Sequence, residues 1–190
     1  MSGFSSTDLS DLRLVYSQDA FESDYVKTIT YNVLYDNTAN AYWWGGSTKL
    51  AQVQALGNIA DNIGNEQVAE HLVKKWFLGE DLPMPISGGD TANPDASAGV
   101  YTYGKLTGDL FLDGISPVDV NQGQAGTCYV IAAMESFAYS SPNVLQEAFT
   151  VNPNGTIGVK FYYGGNNIYT TVNYNVPQTD WGTITYTCLL

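Results

Sequence analysis

Basic side chains are scarce in this sequence: 7 Lys and Arg stand against 19 Asp and Glu, for a net charge of −12. Phosphate backbones repel such a chain, so no nucleic-acid partner is expected. It also lacks the basic patch that draws proteins to anionic membranes. Cysteine is nearly absent: Cys128 and Cys188 are the 2 in 190 residues, too few for a disulfide framework, and they pair only if the fold brings them together. There is one histidine, His71. No apolar run reaches membrane-spanning length. Residues 1–19 are polar and acidic, without the basic start and apolar stretch of a secretory signal, so a cytoplasmic location is expected. Thr187-Cys188-Leu189-Leu190 places its cysteine one position too late for prenylation. Asn154-Gly155-Thr156 fits the glycosylation pattern, but without an export signal it reads as a turn.

What is present centres on one stretch, Asn121-Gln-Gly-Gln-Ala-Gly-Thr-Cys128, followed by an apolar run through Tyr139. Gly123 and Gly126 permit a tight turn. Val130, Ile131, Ala132, Ala133, Met134, Phe137 and Ala138 leave no wide polar face, so the spacing predicts a helix running through the core. Its first N–H groups lack intrahelical partners and its dipole is positive there, an environment that favours the nucleophilic thiolate form of a cysteine. Gln122 carries an amide donor six residues earlier, able to reach across a turn to an oxyanion beside the sulfur. Two readings of Cys128 stand side by side. It is a buried apolar cysteine, the usual fate of a free thiol, or a nucleophile delivered to a helix start.

Gln122-Gly123-x-x-Gly126-x-Cys128, an aromatic and an Ala-rich helix together resemble the active-site segment of calpain-type cysteine proteases, relatives of the papain fold. That family typically shows Gln-Gly-x-x-Gly-Asp-Cys-Trp-x-x-Ala-Ala. The flanks are similar as well: Leu110-Phe111, Asp113-Gly114 and Asp119-Val120 upstream, then Gly155, Val159, Phe161, Gly164-Gly165 and Val172 to Pro177 downstream. The likeness covers about residues 104–177. It implies Cys128 as nucleophile, Gln122 as oxyanion-hole donor and a polypeptide substrate. Thr127 stands in place of the usual Asp, and Tyr129 in place of the usual Trp. The family's Val-Asp-Asp-x-Leu-Pro becomes Val172-Asn-Tyr-Asn-Val-Pro177. The two missing carboxylates argue against the calcium binding of animal calpains, and no cofactor or metal is expected.

The remainder divides into three parts: an N-terminal α/β region over 1–80, a Gly/Pro/Ser-rich linker over 81–100, and the Cys-bearing half of a catalytic domain over 101–190. In the first, Ser6 or Thr7 caps a short, fraying helix through Leu14. The β-branched and aromatic residues of 25–35 predict a strand. Leu50, Val53, Leu56, Ile59, Ala60 and Ile63 recur at helical spacing after Ser47-Thr48. Gly64-Asn65 then joins them to a second helix carrying Val68, Leu72, Val73, Trp76 and Phe77, giving an αα-hairpin. Trp43 and Trp44 serve as a carbohydrate or peptide platform, or as core bulk. His71 lies among apolar residues of the second helix and precedes the cysteine, whereas papain-type order is Cys, His, Asn; it is assigned no catalytic role. Gly88-Gly89-Asp90 is too short a signal for a phosphate loop. In the third part, a strand or hairpin is expected over 101–112. Ser141-Pro142 opens a short helix through Phe149, and strands over 156–163 and 168–176 flank Gly164-Gly-Asn-Asn167. The expected fold class is α+β, in which the resemblance implies a papain-like left subdomain preceded by a small strand and the helical hairpin.

A peptidase of this type also needs a histidine to carry the proton and an Asn or Asp to orient it, placed roughly 130–150 residues beyond the cysteine. No histidine follows Cys128. The expectation is therefore a truncated or split cysteine endopeptidase, or a fragment of one, inactive alone, with a separate chain as one candidate source of the His/Asn half. Two alternatives are an inactive protease-derived interaction module and a papain-fold thiol acyltransferase.

Overall fold

The computed structural model describes residues 4–87, 99–110, 113–120 and 128–178. Helix α1 (Ser6–Ser17) starts from a capping box: Ser5 Oγ accepts the Asp8 N–H at 3.2 Å, and Asp8 Oδ2 accepts the Ser5 N–H at 2.8 Å. The cap thus lies one residue before the expected Ser6, and the helix runs on to Ser17. Helix α2 (Asp24–Leu34) replaces the strand expected over 25–35. Ser23 accepts the Val26 N–H as N-cap, Asp24 complements the first turn, and Tyr25, Ile29 and Asn32 are buried at i, i+4, i+7. One helical stripe facing the core outweighs the β-propensity of Val26, Thr28 and Thr30.

The helix expected between Ser47 and Ile63 does not form, so there is no αα-hairpin. Strand β1 (Tyr42–Trp43) pairs antiparallel with β2 (Gln54–Ala55), and short 3-10 turns occupy Leu50–Gln52 and Ile59–Asn62. Gly57 sits at φ +86°, the left-handed region that breaks a helix and favours glycine. Asn58 Oδ1 next to it accepts from the Asn37 N–H at 2.9 Å and Asn40 Nδ2 at 3.1 Å. Leu56 and Ile59 still reach the core. Helix α3 (Glu66–Phe77) forms as expected behind the Asn65 cap, burying Val68, Leu72 and Trp76.

Strand β3 (Ile86–Ser87) pairs with β4 (Gly99–Val100), both within the expected linker. Strand β5 (Thr102–Lys105) leads towards helices α4 (Cys128–Ser140) and α5 (Pro142–Gln146). Strands β6 (Phe149–Val151), β7 (Thr156–Tyr163) and β8 (Asn166–Asn173) form an antiparallel sheet in the order β6-β7-β8, and β9 (Asn175–Gln178) returns to pair with β5. Gly164 and Gly165, at φ +60° and +84°, make the two-residue turn of the β7–β8 hairpin. Short antiparallel sheets beside packed helices give the α+β class.

The main core gathers Leu9, Tyr25, Ile29, Leu34, Leu56, Ile59, Val68, Leu72 and Trp76, with Tyr169 of β8 packed against it. Helices α2 and α3 therefore lie on β8, and the N-terminal helices share their interface with the C-terminal hairpin. At the closest approach a Cβ on Gly158 would come within 2.7 Å of the Tyr25 ring; only glycine admits the ring there.

Candidate functional site

Helix α4 presents Cys128 as its first residue. Upstream, a 3-10 turn over Pro117–Asp119 is held by a second capping box, in which Asp119 Oδ2 accepts the Ser116 N–H at 2.8 Å. Downstream the Ser141 N–H donates to Phe137 O at 2.8 Å, closing α4, and Pro142 begins α5. A small second core of Ala138 and Leu145, with Ile115, Val120, Met134 and Phe149, anchors the C-terminal half of α4.

Helix α4 differs from expectation. The apolar composition predicts a helix through the core, but Ala138 is its one fully buried residue, and Tyr129 and Tyr139 are 74% and 83% exposed. Among the described residues, its buried packing is limited to the second core just described. Cys128 is a free, exposed thiol, so the buried-cysteine reading is not what the structure shows. Gln122, Gly123 and Gly126 lie outside the described residues, as does Cys188.

A groove of about 540 Å³ runs between α4, α5 and β7, lined among others by Val130, Met134, Phe137, Val144, Leu145 and Phe161. Its α4 residues recur at i, i+4, i+7. At about 100° per residue Cys128 is roughly 200° around the helix axis from Val130. The thiol and the groove therefore occupy different faces.

The β8–β9 corner, where the resemblance lacks its carboxylates, is built from amides. Asn173 Oδ1 accepts the Asn175 N–H at 3.0 Å and Asn175 Nδ2 at 2.8 Å, an Asx turn. Among the described residues, no three His, Cys, Asp or Glu side chains gather where they could hold a metal ion. His71 stacks on Trp43 with centroids 4.4 Å apart and planes 2° from parallel. It belongs to the N-terminal part, packed as a lone helical histidine usually is.

One polar centre gives no sequence signal. The Asp81 side chain, 5% exposed, pairs with Lys75 of α3. Its Oδ1 accepts the Trp44 and Gly45 N–H groups at 2.5 and 3.1 Å, and Lys75 Nζ also donates to Tyr42 O at 3.0 Å. Trp44 and Gly45 lie 37 and 36 positions from Asp81, and only the fold brings them together. Among the described residues, no helix is long and apolar enough to cross a membrane.

No family model, no curated protein and no solved structure matches this chain.

Proposed function

We propose that this chain supplies the Cys-bearing half of a calpain-like, papain-fold cysteine endopeptidase. The observation that carries the reading is the position of Cys128: exposed, free and first in a helix of 13 residues. The order Cys helix, short helix, antiparallel hairpin also fits the left subdomain of that fold. In the reaction, the sulfur attacks a peptide carbonyl carbon, and the oxyanion takes a hydrogen bond from Gln122. The C–N bond breaks as the amine leaves with a proton, and water then hydrolyses the acyl-thioester. A histidine must take and return that proton. No histidine lies in residues 129–190, so in this reading a His- and Asn-bearing segment outside them completes the site, and residues 1–190 alone do not turn over peptides.

The test is the rate of Cys128 carboxamidomethylation by iodoacetamide in the native protein. Faster reaction than a model thiol at the same pH, lost in Cys128→Ser, supports an activated nucleophile; a rate no faster than the model thiol defeats the proposal. The exposed apolar residues of α4 favour a second reading, an interaction module without catalysis. Stable self-association with an ordinary thiol rate selects it.

A further inference from the structure

We propose that the surface around Trp44 binds a neutral saccharide, independently of any chemistry at Cys128. A depression of about 640 Å³ is lined among others by Trp43, Trp44, Ser47, Thr48, Gln52 and Gln54. Its lining combines two indole side chains, hydroxyls and primary amides, with no charged side chain among the described residues that form it. Trp44 also walls a neighbouring depression of about 300 Å³ with Tyr42, Leu50 and Val53. Trp44 is thus shared by both depressions.

The loop that carries it is fixed before any ligand arrives. The Trp44 and Gly45 N–H groups donate to Asp81 Oδ1, the Gly46 N–H to Leu82 O at 2.8 Å, and the Ser47 N–H to Trp44 O at 3.1 Å. Gly45 and Gly46 take φ +55° and +71°, and a Cβ on Gly45 would meet the Trp43 ring at 2.6 Å. The shape therefore depends on glycine at Gly45. Ser47 Oγ accepts the Lys49 N–H at 3.1 Å and lies 2.7 Å from Lys49 O and 2.9 Å from Gln52 Oε1, which ties Ser47, Lys49 and Gln52 into one local cluster.

A fixed aromatic wall with a few convergent polar groups is how concave sites bind small polar ligands, and preorganisation lowers the ordering cost. Sugar rings match this set: their C–H faces pack on an indole, and their hydroxyls pair with amides and hydroxyls. The net charge of −12 disfavours uronic or sulfated sugars. Strands β1 and β2 are paired with each other, which argues against an extended peptide added to their inner edges.

Isothermal titration of the full chain with cellohexaose, xylohexaose, mannohexaose and chitohexaose tests this. Binding of at least one is expected, weakened about tenfold or more in Trp44→Ala, the scale of a lost aromatic contact, and largely retained in Trp44→Phe, which keeps an aromatic face. Circular dichroism of each variant guards against unfolding. No binding by any of the four, binding unchanged in a folded Trp44→Ala, or binding of an unstructured peptide mixture but of no sugar, each overturns the proposal.

Discussion

The Tyr25 hydroxyl lies 2.7 Å from Thr171 Oγ1, a buried contact between residues 146 positions apart. Thr171 Oγ1 donates its single proton to Trp76 O, so Tyr25 is the donor to Thr171. The Tyr25 oxygen in turn accepts from Asn152 Nδ2 at 3.2 Å. One line of hydrogen bonds therefore ties α2, α3, β8 and the β6–β7 turn together. Removing a partner from such a line leaves buried groups unsatisfied.

Tyr25→Phe is accordingly expected to destabilise the chain by about 1–3 kcal/mol. Gly158→Ala, which drives a methyl into the same ring, is expected to cost about 1–3 kcal/mol by overpacking. Urea unfolding followed by far-UV circular dichroism measures both. If the N-terminal helices melted independently of the hairpin, two transitions would appear, and Tyr25→Phe would shift only the first.

Asp81 offers a second handle. Deleting one partner of a buried ion pair typically costs about 3–5 kcal/mol because the other charge is stranded. In Asp81→Ala the Lys75 ammonium and the Trp44 and Gly45 N–H groups lose their acceptor together. Asp81→Asn keeps an oxygen for the two N–H groups and is expected to lose less. Equal midpoints for the two variants in a urea titration would show that the backbone bonds contribute nothing.

These two centres also mark what was legible in the sequence. Helix α3 could be read because Asn65, Val68, Leu72 and Trp76 supply a cap and a 3.6-residue stripe within one local window. The β7–β8 hairpin could be read because Gly164-Gly165 names its turn. Residues 25–35 misled because β-branched residues sit on a helix whose stripe faces a sheet formed more than a hundred residues later. The stretch from Leu50 to Ile63 misled because helical spacing survives in it while Gly57 and Asn58 bend the backbone. At the site, the helix start at Cys128 was legible. Its exposure was not, since apolar composition states which residues prefer burial and not whether anything covers them.

Acid should loosen the start of α1. The Ser5 hydroxyl bonded to Asp8, and then the Ser5 backbone N–H, hold the Asp8 carboxyl below its ordinary value. With the folded value depressed, the folded state binds fewer protons in the acid range. The capping contribution is therefore complete above the unfolded Asp value and is lost as pH falls through the lower folded one. Hydrogen exchange of the α1 amides should rise over that interval relative to α3, once corrected for intrinsic rates. Asp8→Asn should remove the pH dependence specific to α1. Uniform exchange across both helices would show that the capping box does not govern the fraying of α1.

Asn40 is the most constrained polar side chain described, with no exposed area. Its Nδ2 donates to Asn32 O at 2.8 Å and to Asn58 Oδ1 at 3.1 Å, while its Oδ1 accepts Trp76 Nε1 at 2.7 Å. Both N–H donors and the oxygen of the amide are engaged, so no isostere replaces it without loss. Asn40→Asp keeps the acceptor for Trp76 but turns two donor contacts into oxygen–oxygen repulsion and buries a charge. Asn40→Leu removes the charge problem yet orphans the indole N–H and the Asn32 carbonyl. Each orphan costs about 1–3 kcal/mol, so Asn40→Leu should lose about 2–5 kcal/mol despite its greater apolarity. Trp76→Phe alone should cost less than Asn40→Leu in hydrogen bonding, because only one bond of the set is lost. A double-mutant cycle between the two sites should show coupling of about 0.5–3 kcal/mol. Additivity within error would mean that the Asn40 amide stabilises the fold through its backbone contacts and not through the indole.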